Sequence, residues 1–472
     1  MSGVSGAIDI TKLVDDQKIG RFLINLVILS FIVMLFDGYD FLVAANGAPS
    51  LVSAWHIEPH QLGPVFSASP VGVVFGAPLL GRLGDRVGRR FTVILGVCIF
   101  GLATLGCASA HSITQLIVLR FIAGIGLGGM LPNITALMVE FAPRRVRATF
   151  VVLMFLGVTA GSILPGAIVA VFPEQADWQT LYFIGGAAPL LIAIILIFWL
   201  PESIKFLALR QGQTSRGQFE TLVRKIRPEL TLSTDAVFVG LETKMGAGVA
   251  ELFRDGMQRI TPLVWLLFIC LLASNYFLYS WMPLVFHING FSSRQAALTT
   301  VCYYVGGLIG SLTISRLIDR MGLVAVTVFF ALSCPAVACI GLPGLPPLAI
   351  AALVFISGFF IFGVLLGLNA IAGLLYPPRI RSTGAGWAFG IGRIGGIGGP
   401  MLGAWLLKMH LPITQLFIAP AVPMAVGAVI CFIVMRLCYK RFGGYQFKDD
   451  TQAAGTERPA DNVQAEHGVQ LT

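Results

Sequence analysis

Charge is what this chain has least of. Lysine, arginine, aspartate and glutamate together make up 12% of its 472 residues, whereas 56% are hydrophobic and the mean hydropathy is +0.84. No soluble core needs that much apolar surface, so lipid is the solvent for most of the chain. It has no GxxxxGKS/T loop to cradle phosphates, which disfavours ATP-driven work, and no metal-ligand spacing, which disfavours metal catalysis. The eight cysteines form no CxxC pair. Cys98, Cys107, Cys270, Cys302, Cys334, Cys339, Cys431 and Cys438 fall almost entirely inside apolar spans and read as small core residues, with no zinc site and no disulfide framework. These absences leave no expected cofactor and no enzymatic chemistry. The stretch before Arg21 carries Asp9, Asp15 and Asp16 and has no apolar core, so it is not expected to be a cleaved signal peptide.

Apolar stretches able to cross a hydrocarbon core, which takes roughly 20 helical residues, number twelve, the first at 23–48 and the last at 413–436. The fold class is therefore an all-α polytopic membrane protein. If both termini are cytoplasmic, every lysine and arginine lies in a tail or a cytoplasmic loop except Arg294 and Lys408 outside and Arg120 and Arg393 within spans. That asymmetry sets the expected topology. It also explains the net charge of +9 without nucleic acid as a partner.

Shifting the chain against itself by 234 positions aligns Gly72, Gly76, Arg82, Asp85, Arg86 and Gly88 with Gly306, Gly310, Arg316, Asp319, Arg320 and Gly322. The same offset aligns Phe121, Ile122 and Gly124 with Phe355, Ile356 and Gly358, and Arg147 and Thr149 with Arg381 and Thr383. Six helices per half preserve orientation, which makes the halves parallel repeats enclosing a cavity. The expected organisation is a cytoplasmic tail at 1–21, a six-helix bundle at 22–202, a cytoplasmic linker at 203–259, a second bundle at 260–436 and a polar, disordered tail at 437–472. The linker holds nine lysines and arginines and has no span of its own.

Intramembrane charges mark candidate sites, because they are costly and generally paired or facing a cavity. Asp37 and Asp40 sit three residues apart in Phe36-Asp-Gly-Tyr-Asp-Phe41, on one face of the first span. They are the expected proton-coupling acids. Arg120 opens the fourth span ahead of Gly124, Gly126, Gly128 and Gly129, and is their expected counter-ion. Arg393, among the glycines of 390–400 near mid-membrane, is a fixed cation of the kind that holds a carboxylate ligand. Aromatic residues gather nearby in sequence at Tyr276, Phe277, Tyr279, Trp281, Tyr303 and Tyr304. Individually they read as packing or interfacial belt, but a ring-shaped substrate needs some of them. Tyr276, Tyr279, Tyr303 and Trp387 are therefore substrate candidates, with Asn275 and Asn369 for a ring hydroxyl. Glu140 is read as balancing Arg144 and Arg145, and His56, His60, His111 and His287 as solvated surface.

The loop Gly81-Arg-Leu-Gly-Asp-Arg-Val-Gly-Arg-Arg90 and its echo Ser315-Arg-Leu-Ile-Asp-Arg-Met-Gly322 match GxLxDRxGRR, the signature loop of the major facilitator superfamily, which the chain resembles. Gly81, Asp85, Arg86, Gly88, Arg89, Arg90, Asp319 and Arg320 are the residues of these loops. The resemblance implies conformational gating for them and no substrate binding. Asp-Gly-Tyr-Asp in the first span, Arg-Phe-Ile-Ala-Gly-Ile-Gly-Leu-Gly-Gly129 and Pro201-Glu-Ser-Ile-Lys-Phe-Leu207 further resemble the aromatic acid:proton symporter family, over about residues 20 to 440. That resemblance implies a multi-pass inner-membrane importer, functional as a monomer, whose partners are protons, membrane lipids and a small benzoate- or hydroxybenzoate-like anion. It also implies proton coupling through the arginine at 120. Pro-Glu-Ser occurs in sugar carriers too, but a neutral sugar gains nothing from Arg393. A drug:proton antiporter would be expected to carry a glycine-proline motif in its fifth span, where Gly157, Gly161, Pro165 and Gly166 are arranged differently. A membrane sensor would need an output domain, and the short tail after Arg441 offers none.

Overall fold

The computed structural model describes residues 8–173, 175–210, 213–226, 238–239, 248–254, 257–376 and 380–442. Residues 437–442 of the tail expected to be disordered are helical, and the rest of it lies outside the described residues, as does the middle of the linker. Fifteen α-helices are described. A short α1 (Ile10–Asp15) precedes α2 (Arg21–Trp55), α3 (Gly63–Val87), α4 (Arg89–Ala108), α5 (Ile113–Phe141), α6 (Arg147–Val171) and α7 (Trp178–Trp199). The connecting segment holds α8 (Ile204–Leu209) and α9 (Gln213–Ile226). The second half contains α10 (Ile260–Ile288), α11 (Ser293–Met321), α12 (Leu323–Cys339), α13 (Pro347–Leu375), α14 (Arg381–Lys408) and α15 (Ile413–Phe442). A two-residue parallel pairing of Ile8–Asp9 with Phe238–Val239 is the only sheet among the described residues.

Ten of these helices are long and apolar enough to cross a membrane. The 17-residue α12 and the glycine-rich α14 occupy the remaining two expected positions. Their large exposed side chains are apolar, as Phe75, Leu102, Phe198 and Ile394 illustrate, which is what a lipid-facing surface requires.

The repeat seen in sequence is also a repeat of contacts. A side chain at Gly72 would strike the carbonyl of Phe121, and one at Gly76 that of Ile125; at Gly306 and Gly310 the obstacles are the carbonyls of Phe355 and Phe359. Conversely, Gly124 faces the Ser69 carbonyl and Gly358 that of Tyr303. The 234-residue offset thus relates α3 against α5 to α11 against α13, each pair held at a separation only glycine permits. Within each half α2 packs on α6 and α10 on α14.

The halves meet through α2 with α10, α3 with α14 and α6 with α11. Their contacts gather at mid-depth and at the end of the bundle away from the start of α2. There Ser67 donates to the carbonyl of Ile397 at 2.9 Å, and Phe66 meets Trp281 edge to face with centroids 4.9 Å apart. Ala404 approaches Gly63, and Val301 approaches Gly166. The molecule is closed at this far end.

Candidate functional site

Gly38 decides how α2 lies. A side chain there would overlap the backbone of Val158, and Gly157 and Gly161 of α6 in turn face the carbonyls of Phe31 and Leu35. Ser162 donates to the Gly38 carbonyl at 3.2 Å. The glycine between the two aspartates therefore seats α2 against α6 by its backbone, and both acids are buried at mid-span.

They have different partners. Asp40 pairs with Arg120: the guanidinium Nη1 donates to its Oδ1 and Nη2 lies 3.4 Å from its main-chain oxygen. Ser69 of α3 donates to the other carboxylate oxygen at 2.8 Å. Both charged side chains are only 3% exposed. At the repeat positions 274 and 354 the second half has Ser274, which donates to the Pro420 carbonyl at 2.6 Å, and Val354. The buried ion pair thus belongs to the first half alone.

Asp37 forms no ion pair among the described residues. It lies within electrostatic reach of Asp40 on its own helix and of Arg393 across the interface between the halves. The glycines around Arg393 have a packing cause: side chains at Gly392, Gly395 and Gly399 would strike Phe268, Ile269 and Ala273 of α10. Arg393 is left half-buried, with its guanidinium 5.4 Å from the Phe389 ring centroid and within electrostatic reach of Tyr276.

Rings from both halves meet beside it at Tyr276. Phe41 of α2 meets Tyr276 at 5.9 Å and Tyr279 at 5.8 Å, and the two tyrosines lie 4.7 Å apart. Tyr303 donates to the Asn275 side-chain oxygen at 2.8 Å. Tyr304 packs on Tyr303 and Phe362, and its buried hydroxyl has no partner among the described residues. Asp37, Arg393, Tyr276 and Tyr279 are therefore gathered together. Trp387 is not with them: it is exposed and stacks on Trp265, with centroids 6.3 Å apart. Asn369 is exposed as well. Phe41 and Ser69 are not among the residues the sequence singles out. Phe41 directly follows Asp40 and could have been suspected, whereas nothing local marks Ser69.

At the other end of the first half the loop residues fall into two groups. Asp85, Arg86, Asp319 and Arg320 are exposed, and Asp85 lies 3.9 Å from Arg89. Gly81 has open space around it. The close contacts belong to Arg89, which pairs with Glu140 at 2.5 Å. Glu140 also accepts from Ser203. Balancing Arg144 and Arg145 is thus not its role. Arg144 pairs with Asp15 at 3.2 Å and Arg145 donates to the Gln17 carbonyl, so those arginines hold the N-terminal segment. Glu202 Oε1 accepts the main-chain N–H groups of Arg89, Arg90 and Ser203 at 2.8, 3.1 and 2.8 Å, capping the start of α4. Gly88 turns the chain there at φ +118°, with the Glu202 carboxylate where a side chain would sit. Of the histidines expected at the surface, His60 pairs with Glu58 at 3.0 Å, but His287 has a buried Nδ1 without a partner among the described residues.

A family model described as the Major Facilitator Superfamily matches residues 26–297 and 264–446. A 4-hydroxybenzoate transporter of Pseudomonas putida is 33% identical over 91% of this chain and 96% of its own length. A gallate transporter of the same organism is 32% identical over 90% and 95%. The benzoate transport protein of Acinetobacter baylyi is 30% identical over 91% and 93%. Among solved structures, the partially occluded inward-open xylose transporter of Escherichia coli superposes with a TM-score of 0.67 at 15% identity, covering 88% of this chain and 98% of that one. That likeness bears on the fold alone.

Proposed function

Because the chain belongs to the major facilitator superfamily, we propose that it is a multi-pass inner-membrane carrier, with both termini cytoplasmic, that imports a small aromatic carboxylate together with protons. Transport of aromatic carboxylates accords with the relatives that take 4-hydroxybenzoate, gallate and benzoate. The observation that carries the site assignment is the asymmetry of the two buried aspartates. Asp40 is satisfied by Arg120 and Ser69, whereas Asp37 has no ion pair among the described residues and lies within electrostatic reach of Arg393 across the interface, near aromatic rings of both halves.

In this reading Arg393 holds the substrate carboxylate. Guanidinium does not deprotonate in proteins, so it remains a cation through the cycle, and its planar fork matches a carboxylate. Phe41, Tyr276 and Tyr279 offer edges and faces to the ring. The free Tyr304 hydroxyl and Asn275 serve a ring hydroxyl. Asp37 carries the proton and lies within electrostatic reach of Arg393, so its charge is linked to substrate binding: protonation of Asp37 leaves the guanidinium to the substrate carboxylate, and departure of the substrate favours the aspartate anion again. Moving one charge through the membrane potential is worth about 2.3 kcal/mol per 100 mV. One proton cancels that opposition for a monoanion, and further protons let the potential drive uptake. The closed far end is then the periplasmic end, and this conformation is inward-facing. Gating falls to the loops at the cytoplasmic end, the first of which is tied to α5 and to the end of α7 through Arg89, Glu140 and Glu202.

Binding by purified protein tests the reading. Benzoate, 4-hydroxybenzoate and gallate should each compete for one site that xylose does not enter. Competition by xylose with indifference to all three acids would reject it.

A further inference from the structure

We propose that the linker helix α9 and the cytoplasmic end of the first bundle form a binding site for one anionic phospholipid. A cavity of about 770 Å³ lies between the starts of α2 and α4, the end of α7 and α9. The helix α9 is two-faced. Phe219, Leu222, Val223 and Ile226 are buried in the same apolar cluster as Leu23, Leu26 and Leu200 of the bundle, while Gln218, Thr221, Arg224 and Lys225 remain exposed. Its docking is therefore apolar, and its polar face is left to border the cavity.

The lining is chemically divided. Asn25, Thr221, Arg90 and Lys225 contribute polar and cationic groups, and Phe198 and Trp199 contribute rings that are 77% and 64% exposed. The one carboxylate present, that of Glu202, is turned into the start of α4 by the three main-chain N–H groups it accepts. Arg90 donates one guanidinium N–H to the Ile197 carbonyl, which leaves its charge uncancelled, and Lys225 is exposed, so two cations border the cavity with little opposing charge, which suits a phosphodiester of net negative charge. Trp199 ends a membrane helix, at the depth where indoles favour the headgroup region. From the same helix ends, exposed Ile24 and Ile28 of α2 and Ile194 and Phe198 of α7 continue toward the membrane core, a path for acyl chains. A soluble phosphate would use the cations but leave those stripes idle; a lipid uses both, in the manner of basic pockets beside membrane helices. Such a lipid bridges the linker to the first bundle, next to the Arg89, Glu140 and Glu202 contacts.

The test uses the full chain, stripped of lipid in detergent, with phosphatidylglycerol, phosphatidylcholine or inorganic phosphate added and bound lipid counted by native mass spectrometry. The wild type should retain one phosphatidylglycerol in preference to phosphatidylcholine. Lys225→Ala should weaken that retention about fivefold, as one juxtamembrane cation does, Lys225→Glu more, and Lys225→Arg should restore it. A photoactivatable phosphatidylglycerol should label the peptides holding Trp199 or Thr221. Lys225 is exposed, so an unchanged thermal midpoint of Lys225→Glu without lipid serves as the folding control; were it to fall, Lys225→Ala against Lys225→Arg decides alone. Equal retention of the two lipids, indifference to the charge at 225, or displacement by inorganic phosphate at equal concentration would overturn the proposal.

Discussion

Replacing Asp40 by Asn leaves the Arg120 guanidinium 3% exposed and without its counter-charge. Breaking one side of a buried ion pair costs about 3–5 kcal/mol, because the remaining charge has been removed from water and is no longer compensated. Ser69 would still bond the amide oxygen, and the carbonyl of Asp40 would still lie near Nη2, so we expect a loss toward the lower end, about 3 kcal/mol. Arg120→Gln should cost as much, since it strands the carboxylate. The double variant Asp40→Asn/Arg120→Gln removes both charges and should recover most of the loss. The interaction energy of the cycle should therefore be about 2 kcal/mol or more. An internal control is the exposed pair of Arg144 with Asp15, whose side chains are 71% and 24% exposed; Asp15→Asn should cost less than about 1 kcal/mol. Unfolding midpoints of the four proteins and the control, in one detergent, rank the effects. Additive losses, or single losses no larger than that of Asp15→Asn, would refute the reasoning.

Asp37→Asn should behave differently: with no ion pair to break, its unfolding midpoint should stay close to wild type while uptake against a gradient is lost, as parallel stability and transport assays would show. Gly38→Ala must push α2 from the backbone of Val158, so it should cost about 1–3 kcal/mol and lower the midpoint measurably. Asp85→Asn removes only a 3.9 Å pair at the surface; it should change stability by less than about 1 kcal/mol and, if the loop gates, slow turnover with substrate affinity unchanged, as paired binding and transport measurements would reveal.

Much of this architecture is legible in the sequence because membrane physics leaves few options. Long apolar runs must be helices, and the 234-residue repeat carried through to the carbonyls that face Gly72 and Gly306. Asp37, Asp40, Arg120 and Arg393 could be singled out because a charge in lipid is costly wherever it lies. Partner choice was not legible to the same degree. The pairing of Glu140 with Arg89 instead of the adjacent Arg144 depends on how α4 and α5 pack, and the capping by Glu202 on the end of α7 returning to the start of α4. Trp387 shares its helix with Arg393, but it turns to Trp265 at the surface. Which side of a helix faces the interface is set by its neighbours, and the glycines of α14 reveal that side only once α10 is in place.

The most direct test of the central claim is accumulation of radiolabelled 4-hydroxybenzoate by proteoliposomes carrying the pure protein, with an imposed acid-outside gradient. Wild-type protein should concentrate the acid above the level reached in protein-free vesicles and lose that gain when the gradient is collapsed. Arg393→Ala should neither bind nor transport, and Asp37→Asn should bind without concentrating. Accumulation unaffected by the pH gradient, or undiminished in both variants, would contradict the account.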